Sequence, residues 1–269
     1  MNASYLDRIL RRGPRVAVVR LHGAIGMAGR GGALNDAMLA PVIERAFRRG
    51  RPAAVALSIN SPGGSPVQSS LIAARIRRLA EETEVPVHAF VEDVAASGGY
   101  WLACAADQIW ADDSSILGSI GVISSGFGFQ DLIARWGIER RVHTAGRSKS
   151  TLDPFRPEKP EDVERLRNVL EPIHAAFRHH VASRRGARLS DERDLFTGEF
   201  WAGQEAVRLG LADGIGHLVP KMKALCGDKT RFMVHSPRQS LFRRLGLSAE
   251  AVLDGAEERA AFARFGAGG

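Results

Sequence analysis

The hydrophobic and polar positions of this chain alternate between short apolar runs and longer amphipathic stretches. Arg15 to Leu21 (RVAVVRL) is rich in β-branched residues and predicts a first strand. A glycine-rich turn, Gly23 to Gly32, follows it. Leu34 to Arg49 has helical spacing, interrupted by Pro41. Ala53 to Ile59 (AAVALSI) predicts a second, buried strand. It ends in Asn60-Ser61-Pro62-Gly63-Gly64, a sequence that neither a helix nor a strand accommodates. Ser65 is placed to cap a helix whose apolar face is Val67, Leu71, Ile72, Ile76 and Leu79. Val87 to Val91 reads as a third strand, Ser97 to Ala105 as a short apolar helix, and Gln108 to Ala111 as a fourth strand. Further on, Arg140 to Thr144 reads as a strand, Asp162 to Arg185 as a long amphipathic helix, and Gln204 to Leu209 as a shorter one. Strands alternating with helices predict an α/β fold, with βαβ units around a parallel core sheet.

Composition narrows the class. Of 269 residues, 45% are hydrophobic and 25% charged, which suffices for a sizeable core. The formal net charge is +7, yet only five of the 37 basic residues are lysines, and none precedes Lys149. No nucleic-acid motif and no stripe of aromatics interleaved with basic residues accompanies that charge, so nucleic acid is not an expected partner. Cys104 and Cys226 are too few for a disulfide framework and are expected to be reduced in the cytoplasm. Two charge-free stretches, Val94 to Ala106 and Ser114 to Gln130, fall short of the ~20 apolar residues that span a bilayer. The first residues lack a signal-like apolar core. The chain is therefore expected to stay inside the cell. Peripheral contact with a membrane is expected at most, through the basic tail that contains LFRRLGL.

Three short segments carry candidate chemistry. Ser97 lies in Ala95-Ala96-Ser97-Gly98-Gly99-Tyr100-Trp101, between a strand and a helix start, where a nucleophile is exposed and developing negative charge is favoured. The alternative is a serine that only caps the helix. Ser61-Pro62-Gly63-Gly64 follows a buried strand. Glycines there can aim free N–H groups into a cleft, and Gly64 and Gly98 are the candidate donors of an oxyanion hole. No histidine sits in a motif that points to Ser97, and no zinc-ligating pattern occurs, so neither a metal nor another cofactor is expected. Lys149, in Thr144-Ala145-Gly146-Arg147-Ser148-Lys149-Ser150, is the candidate base. A lysine serves as one when burial or positive neighbours destabilise its ammonium, whereas arginine does not deprotonate.

Taken in order, five segments resemble the S49 serine peptidases, the signal peptide peptidase A group. They are INSPGGS at Ile59 to Ser65, AASGGYW at Ala95 to Trp101, LGSIGV at Leu117 to Val122, AGRSKS at Ala145 to Ser150, and FWAGQEAVRLGLADGIG at Phe200 to Gly216. The resemblance implies a Clp-protease/crotonase-like fold. It implies Ser97 as nucleophile and Lys149 as general base, 52 residues later, with Ser119 holding the lysine amine. It implies the domain plan as well: an N-terminal extension (1–14), a peptidase domain (15–220), and a basic, partly helical tail (221–269). The expected substrates are hydrophobic peptides, signal-peptide remnants or unfolded proteins. Membrane-bound relatives carry an N-terminal anchor and longer ones a second repeat, and the chain is expected to lack both. Its expected assembly is a homo-oligomeric ring in which the serine of one subunit meets the lysine of its neighbour. A crotonase-type acyl-CoA enzyme, with Glu92 or Asp93 as carboxylate, and a non-catalytic scaffold are the competing readings.

Overall fold

The computed structural model describes residues 13–26, 34–146, 148–236 and 259–266. The basic segment Leu241-Phe242-Arg243-Arg244, expected to touch lipid, lies outside them, as does most of the N-terminal extension. Contacts divide the chain into two units. One comprises residues 1–120 and 178–269, the other residues 121–177.

The first unit is built on an eight-stranded sheet. Its strands are β1 (Arg15–His22), β2 (Ala54–Ser61), β3 (Val87–Ala96), β4 (Gln108–Ala111), β5 (Ile116–Gly118), β6 (Phe200–Ala202), β7 (Gly214–Ile215) and β8 (Arg231–His235). The main path runs β6-β5-β3-β2-β1-β8, while β4 pairs with both β3 and β7. All pairings are parallel except β5 with β6. This is an α/β, Clp-protease/crotonase-like arrangement.

Helices α1 (Asp36–Arg48), α2 (Pro66–Thr83) and α3 (Gly98–Ala103) connect the central strands. The Asn35 side chain caps α1 by accepting from the Met38 amide at 2.9 Å. The expected interruption at Pro41 does not occur, because α1 runs through it. An interior proline forfeits one hydrogen bond, about 3 kcal/mol in an exposed helix. Here burial of Leu39, Val42, Ile43, Ala46 and Phe47 offsets that cost. Ser65 caps α2, accepting from the Gln68 amide at 3.4 Å. The buried stripe of α2 is Ser69, Ile72, Ala73, Ile76, Leu79 and Ala80. Val67 and Leu71, expected on that face, are exposed, since at 100° per residue they fall on the opposite side of the helix.

Two other expectations change. The third strand continues past Val91 to Ala96, with a register shift opposite Ile59 and Ser61, so the charged pair Glu92-Asp93 sits in an irregular stretch rather than ending the strand. The segment from residue 221 is not simply a tail. It completes α7 (Leu218–Cys226) and supplies β8, which pairs with β1. Behind β1 and β2, Val16, Val18, Ala54 and Ala56 pack with Phe90, Trp110 and Met222 of α7.

The second unit contains α4 (Gln130–Arg135) and most of α5 (Pro160–Arg185), whose last turns belong to the first unit. Arg140 to Thr144 is not a strand. A strand exists by pairing, and this run has no ladder partner. A short helix, α6 (Gly203–Arg208), follows β6.

Candidate active site

Ser97 links β3 to α3 with φ 51° and ψ −120°, a left-handed conformation that is costly for any residue with a side chain. Its amide donates to the Gly118 carbonyl at 2.8 Å, so β5 holds the turn in place. The hydroxyl, partly exposed, makes no capping bond to α3. The reading of Ser97 as a plain helix cap therefore fails on geometry.

The glycines around it are required by contact. A Cβ on Gly64 would lie 1.9 Å from the Ile25 carbonyl oxygen, and its φ of 141° suits glycine alone. A Cβ on Gly98 would lie 2.4 Å from Ser69 Oγ. Parallel bridging of residues 25 and 64 uses the amides of Ile25 and Ser65, which donate to Gly63 and Ile25. Among the described residues, the N–H groups of Gly64 and Gly98 have no acceptor. Unpaired N–H groups beside a partly exposed, strained serine are what an acyl-transfer site uses to bind an oxyanion.

Ser119 follows Gly118 and is also left-handed, with φ 53°. It is buried, and its amide donates to the Glu199 carbonyl at 2.6 Å. Because Ala96 pairs with Gly118, the segments carrying Ser97 and Ser119 are adjacent in the sheet. Lys149 belongs to the second unit. It lies exposed in a turn where its amide donates to Gly146 at 3.2 Å and the Thr151 hydroxyl donates to the Ser148 carbonyl at 2.6 Å.

The competing groups are engaged elsewhere. Glu92 accepts from the Ser58 hydroxyl at 2.5 Å and lies 3.4 Å from His22 Nε2. Hydrogen bonding to His22, then to Ser58, holds its carboxyl below the ordinary range against the effect of burial. Asp93 accepts from Asn60 Nδ2 at 2.6 Å. His217 bonds Asp112 at 2.8 Å, and His180 stacks on Trp101 while its Nε2 meets the Trp101 carbonyl at 3.1 Å. Burial pushes the Cys104 thiol up to about 12, so it is no rival nucleophile. Among the described residues, no cluster of histidine, cysteine and carboxylate could hold a metal.

The sequence reading missed the long-range bonds that tie α3 and the residues after it, the end of α5 and residues 210–213 together. Arg184 Nε donates to the Cys104 carbonyl at 2.9 Å and Nη2 to Ala106 at 3.0 Å. Buried Arg185 donates to the Gly210 carbonyl at 2.9 Å and to Asp213 at 2.8 Å. The Tyr100 hydroxyl donates to the Leu211 carbonyl at 2.9 Å. These partners lie 80, 28 and 111 residues apart, so no local pattern announces them.

Residues 80–225 match the description of peptidase family S49. A protein of Brucella melitensis named Na(+)/H(+) antiporter NhaA is 48% identical over 93% of this chain but 37% of its own length. The chloroplastic serine protease SPPA of Arabidopsis thaliana is 31% identical over 76% of this chain and 31% of its own. A chain of Synechocystis sp. named as a protease is 30% identical over 75% of this chain and 70% of its own. The chain thus spans about a third of the length of the first two relatives. No described helix is long and apolar enough to cross a membrane, and the family match covers Ser97, Gly98, Ser119 and Lys149, with Gly64 lying before it. On these findings the chain belongs to peptidase family S49.

Proposed function

We propose that this chain is a serine endopeptidase with a Ser97–Lys149 dyad, acting on hydrophobic peptides, signal-peptide remnants or unfolded proteins. The observation that carries the reading is Ser97 itself, held in a strained turn with an uncommitted hydroxyl, beside the unpaired N–H groups of Gly64 and Gly98. The neutral amine of Lys149 takes the hydroxyl proton as Oγ attacks the substrate carbonyl carbon. The carbonyl oxygen, now an oxyanion, accepts from Gly64 and Gly98. Collapse of this intermediate expels the amine product, which takes the proton back from Lys149. Water then repeats the cycle on the acyl-enzyme and frees Ser97. Ser119 orients the lysine amine.

Assembly completes the site in this proposal. Lys149 is exposed in the chain taken alone, whereas a base of this kind works shielded from water. Its unit also exposes Ile123, Phe127, Leu132, Trp136 and Ile138, and α4 buries no residue at all. An apolar surface of that extent is a surface for association. A second copy would cover it and meet Lys149, which favours the ring with a shared dyad. The direct test is hydrolysis of hydrophobic peptides and of an unfolded protein by the purified chain and by Ser97→Ala. Loss of turnover in the variant, with an unchanged circular dichroism spectrum, is expected. Equal turnover would refute the proposal.

A further inference from the structure

Strand β3 carries two residues more than the strand it pairs with. Ile59 of β2 pairs with Val91 and Ser61 with Ala95, so two steps along β2 are matched by four along β3. The surplus is taken up at the exposed pair Glu92-Asp93, which forms a bulge. An even surplus changes the register without turning side chains to the other face. Its effect falls on the residues that follow. Carried on from Val91, the register would set Ser97 level with Ser65, the cap of α2. After the bulge it sets Ser97 level with Gly63, the neighbour of Gly64. The contacts agree, because a Cβ on Gly63 would lie 2.8 Å from Ser97 Cβ and 2.8 Å from the Gly98 nitrogen. The bulge thus shifts the proposed nucleophile by ~6.6 Å relative to β2, onto the glycine turn.

Side chains hold the bulge. Asn60 Nδ2 donates to Asp93 at 2.6 Å, and Asn60 Oδ1 accepts from the Val94 amide at 3.3 Å. The Asn60 carbonyl accepts from the Gly23 amide at 2.8 Å. One residue therefore ties together the ends of β1, β2 and β3, shortly before Gly63 and Gly64. From the β5 side, the buried Ser115 hydroxyl meets the carbonyls of Val91 and Glu92 at 3.2 and 2.5 Å. Ser115 leads directly into β5, whose Gly118 carbonyl accepts from the Ser97 amide. A bulge interrupts the ladder, and the backbone groups it frees need other partners. Asn60 and Ser115 are those partners.

We infer that Asn60 is a positioning residue for the proposed reaction, holding the Glu92-Asp93 bulge in the register that sets Ser97 beside Gly63 and Gly64, with Ser115 bracing it from β5. This rests on Ser97 being the nucleophile. Asn60 acts through the backbone of β3 and not on the substrate. The place needs an acceptor for Val94 and a donor for Asp93 at once, and an asparagine amide carries both. A nucleophile misplaced by about 1 Å loses about a hundredfold in rate.

The test separates positioning from stability. Asn60→Ala should lower kcat for peptide hydrolysis about a hundredfold with KM nearly unchanged. A residue that served stability alone would lower the thermal midpoint and leave kcat per folded molecule intact. Asn60→Asp sets two carboxylates against each other and should be as slow. Adding Asp93→Asn exchanges donor and acceptor. One oxygen of the new carboxylate still takes the Val94 amide, and the other accepts from the new side-chain amide at position 93. Asn60→Asp/Asp93→Asn should therefore recover most of the lost kcat, and its comparison with Asn60→Asp decides the matter if Asn60→Ala does not fold. Hydrogen exchange at the Val94 amide reads the same bond without any substrate. It should be about tenfold faster in Asn60→Ala than in the wild type, and slow again in the exchanged pair. Unchanged kcat in a folded Asn60→Ala, or an exchanged pair that folds and stays as slow as Asn60→Asp, would overturn the inference. If the wild type cleaves nothing, the peptidase proposal fails, and Val94 exchange decides this one: equal rates in the wild type and Asn60→Ala overturn it.

Discussion

The Ser97 amide donates to the Gly118 carbonyl at 2.8 Å, so the proposed nucleophile's own N–H is spent on the sheet. That leaves the amides of Gly64 and Gly98 as the donors beside it. The two glycines differ in how they tolerate change. Gly98 has no positive φ, and a methyl group there would clash chiefly with Ser69 Oγ at 2.4 Å, with Ile25 Cδ1 at 3.2 Å and Gly63 Cα at 3.4 Å in closer to ordinary contact. Gly98→Ala should lower stability by about 1–3 kcal/mol through overpacking, and Ser69→Gly should recover most of the loss. The N–H survives in both variants, so turnover should recover with stability. Thermal denaturation and peptide hydrolysis measured together check this, and activity lost without rescue would contradict it.

Lys149→Arg should be as inactive as Lys149→Ala. Arginine keeps the charge but cannot offer the neutral amine the mechanism needs. Steady-state hydrolysis measures it, and substantial turnover in the arginine variant would reduce Lys149 to an electrostatic partner.

If the dyad is shared between subunits, two dead variants should complement each other. Ser97→Ala mixed with Lys149→Ala should regain activity at those interfaces where the intact serine meets the intact lysine. Co-assembly is checked by separating differently tagged subunits. A mixture that co-assembles and stays inactive places the base within one chain.

Arg185→Met should be among the most damaging substitutions away from Ser97. Arg185 is buried, and it satisfies both Asp213 and the Gly210 carbonyl. Removing it leaves a carboxylate with one remaining arginine contact, from Arg188 at 3.6 Å. Breaking such a pair costs about 3–5 kcal/mol. Urea denaturation measures the loss, and a change below about 1 kcal/mol would show that the surroundings relax around Asp213.

His180 makes stability depend on pH. Burial against Trp101 lowers its value from the usual 6.5 to about 4. The unfolded chain takes up a proton near pH 6.5 and the folded one only near pH 4. Its contribution is therefore complete above the unfolded value and is lost as pH falls through that window. The thermal midpoint of the wild type should drop between those limits more steeply than that of His180→Gln. Parallel curves would remove His180 as the cause.

The local code of this chain determined most of its first half. Alternating β-branched runs, Ser65 as a cap and Pro-Gly-Gly after β2 need only neighbours in sequence, and all appear where they were read. The turn at Ser97 was legible for the same reason, since small residues between an apolar strand and an apolar helix permit little else. Val67 and Leu71 lie outside the core because the helical period carries them to the face opposite Ile72, Ile76 and Leu79. The strand expected at Arg140 to Thr144 is absent because a strand's hydrogen bonds come from a partner that local sequence does not name. The strands β5 to β8, of two to five residues, are too short to carry a period, and pairing alone defines them. Tertiary structure alone decided that Ser97 is uncommitted, that Gly118 holds its amide, that Arg184 binds the carbonyls after α3 and Arg185 the Gly210 carbonyl and the Asp213 carboxylate, and that Phe265 covers Val94 and Ala96. Each of these joins residues far apart along the chain. Periodicity reports which face a residue takes, and only the fold brings two faces together.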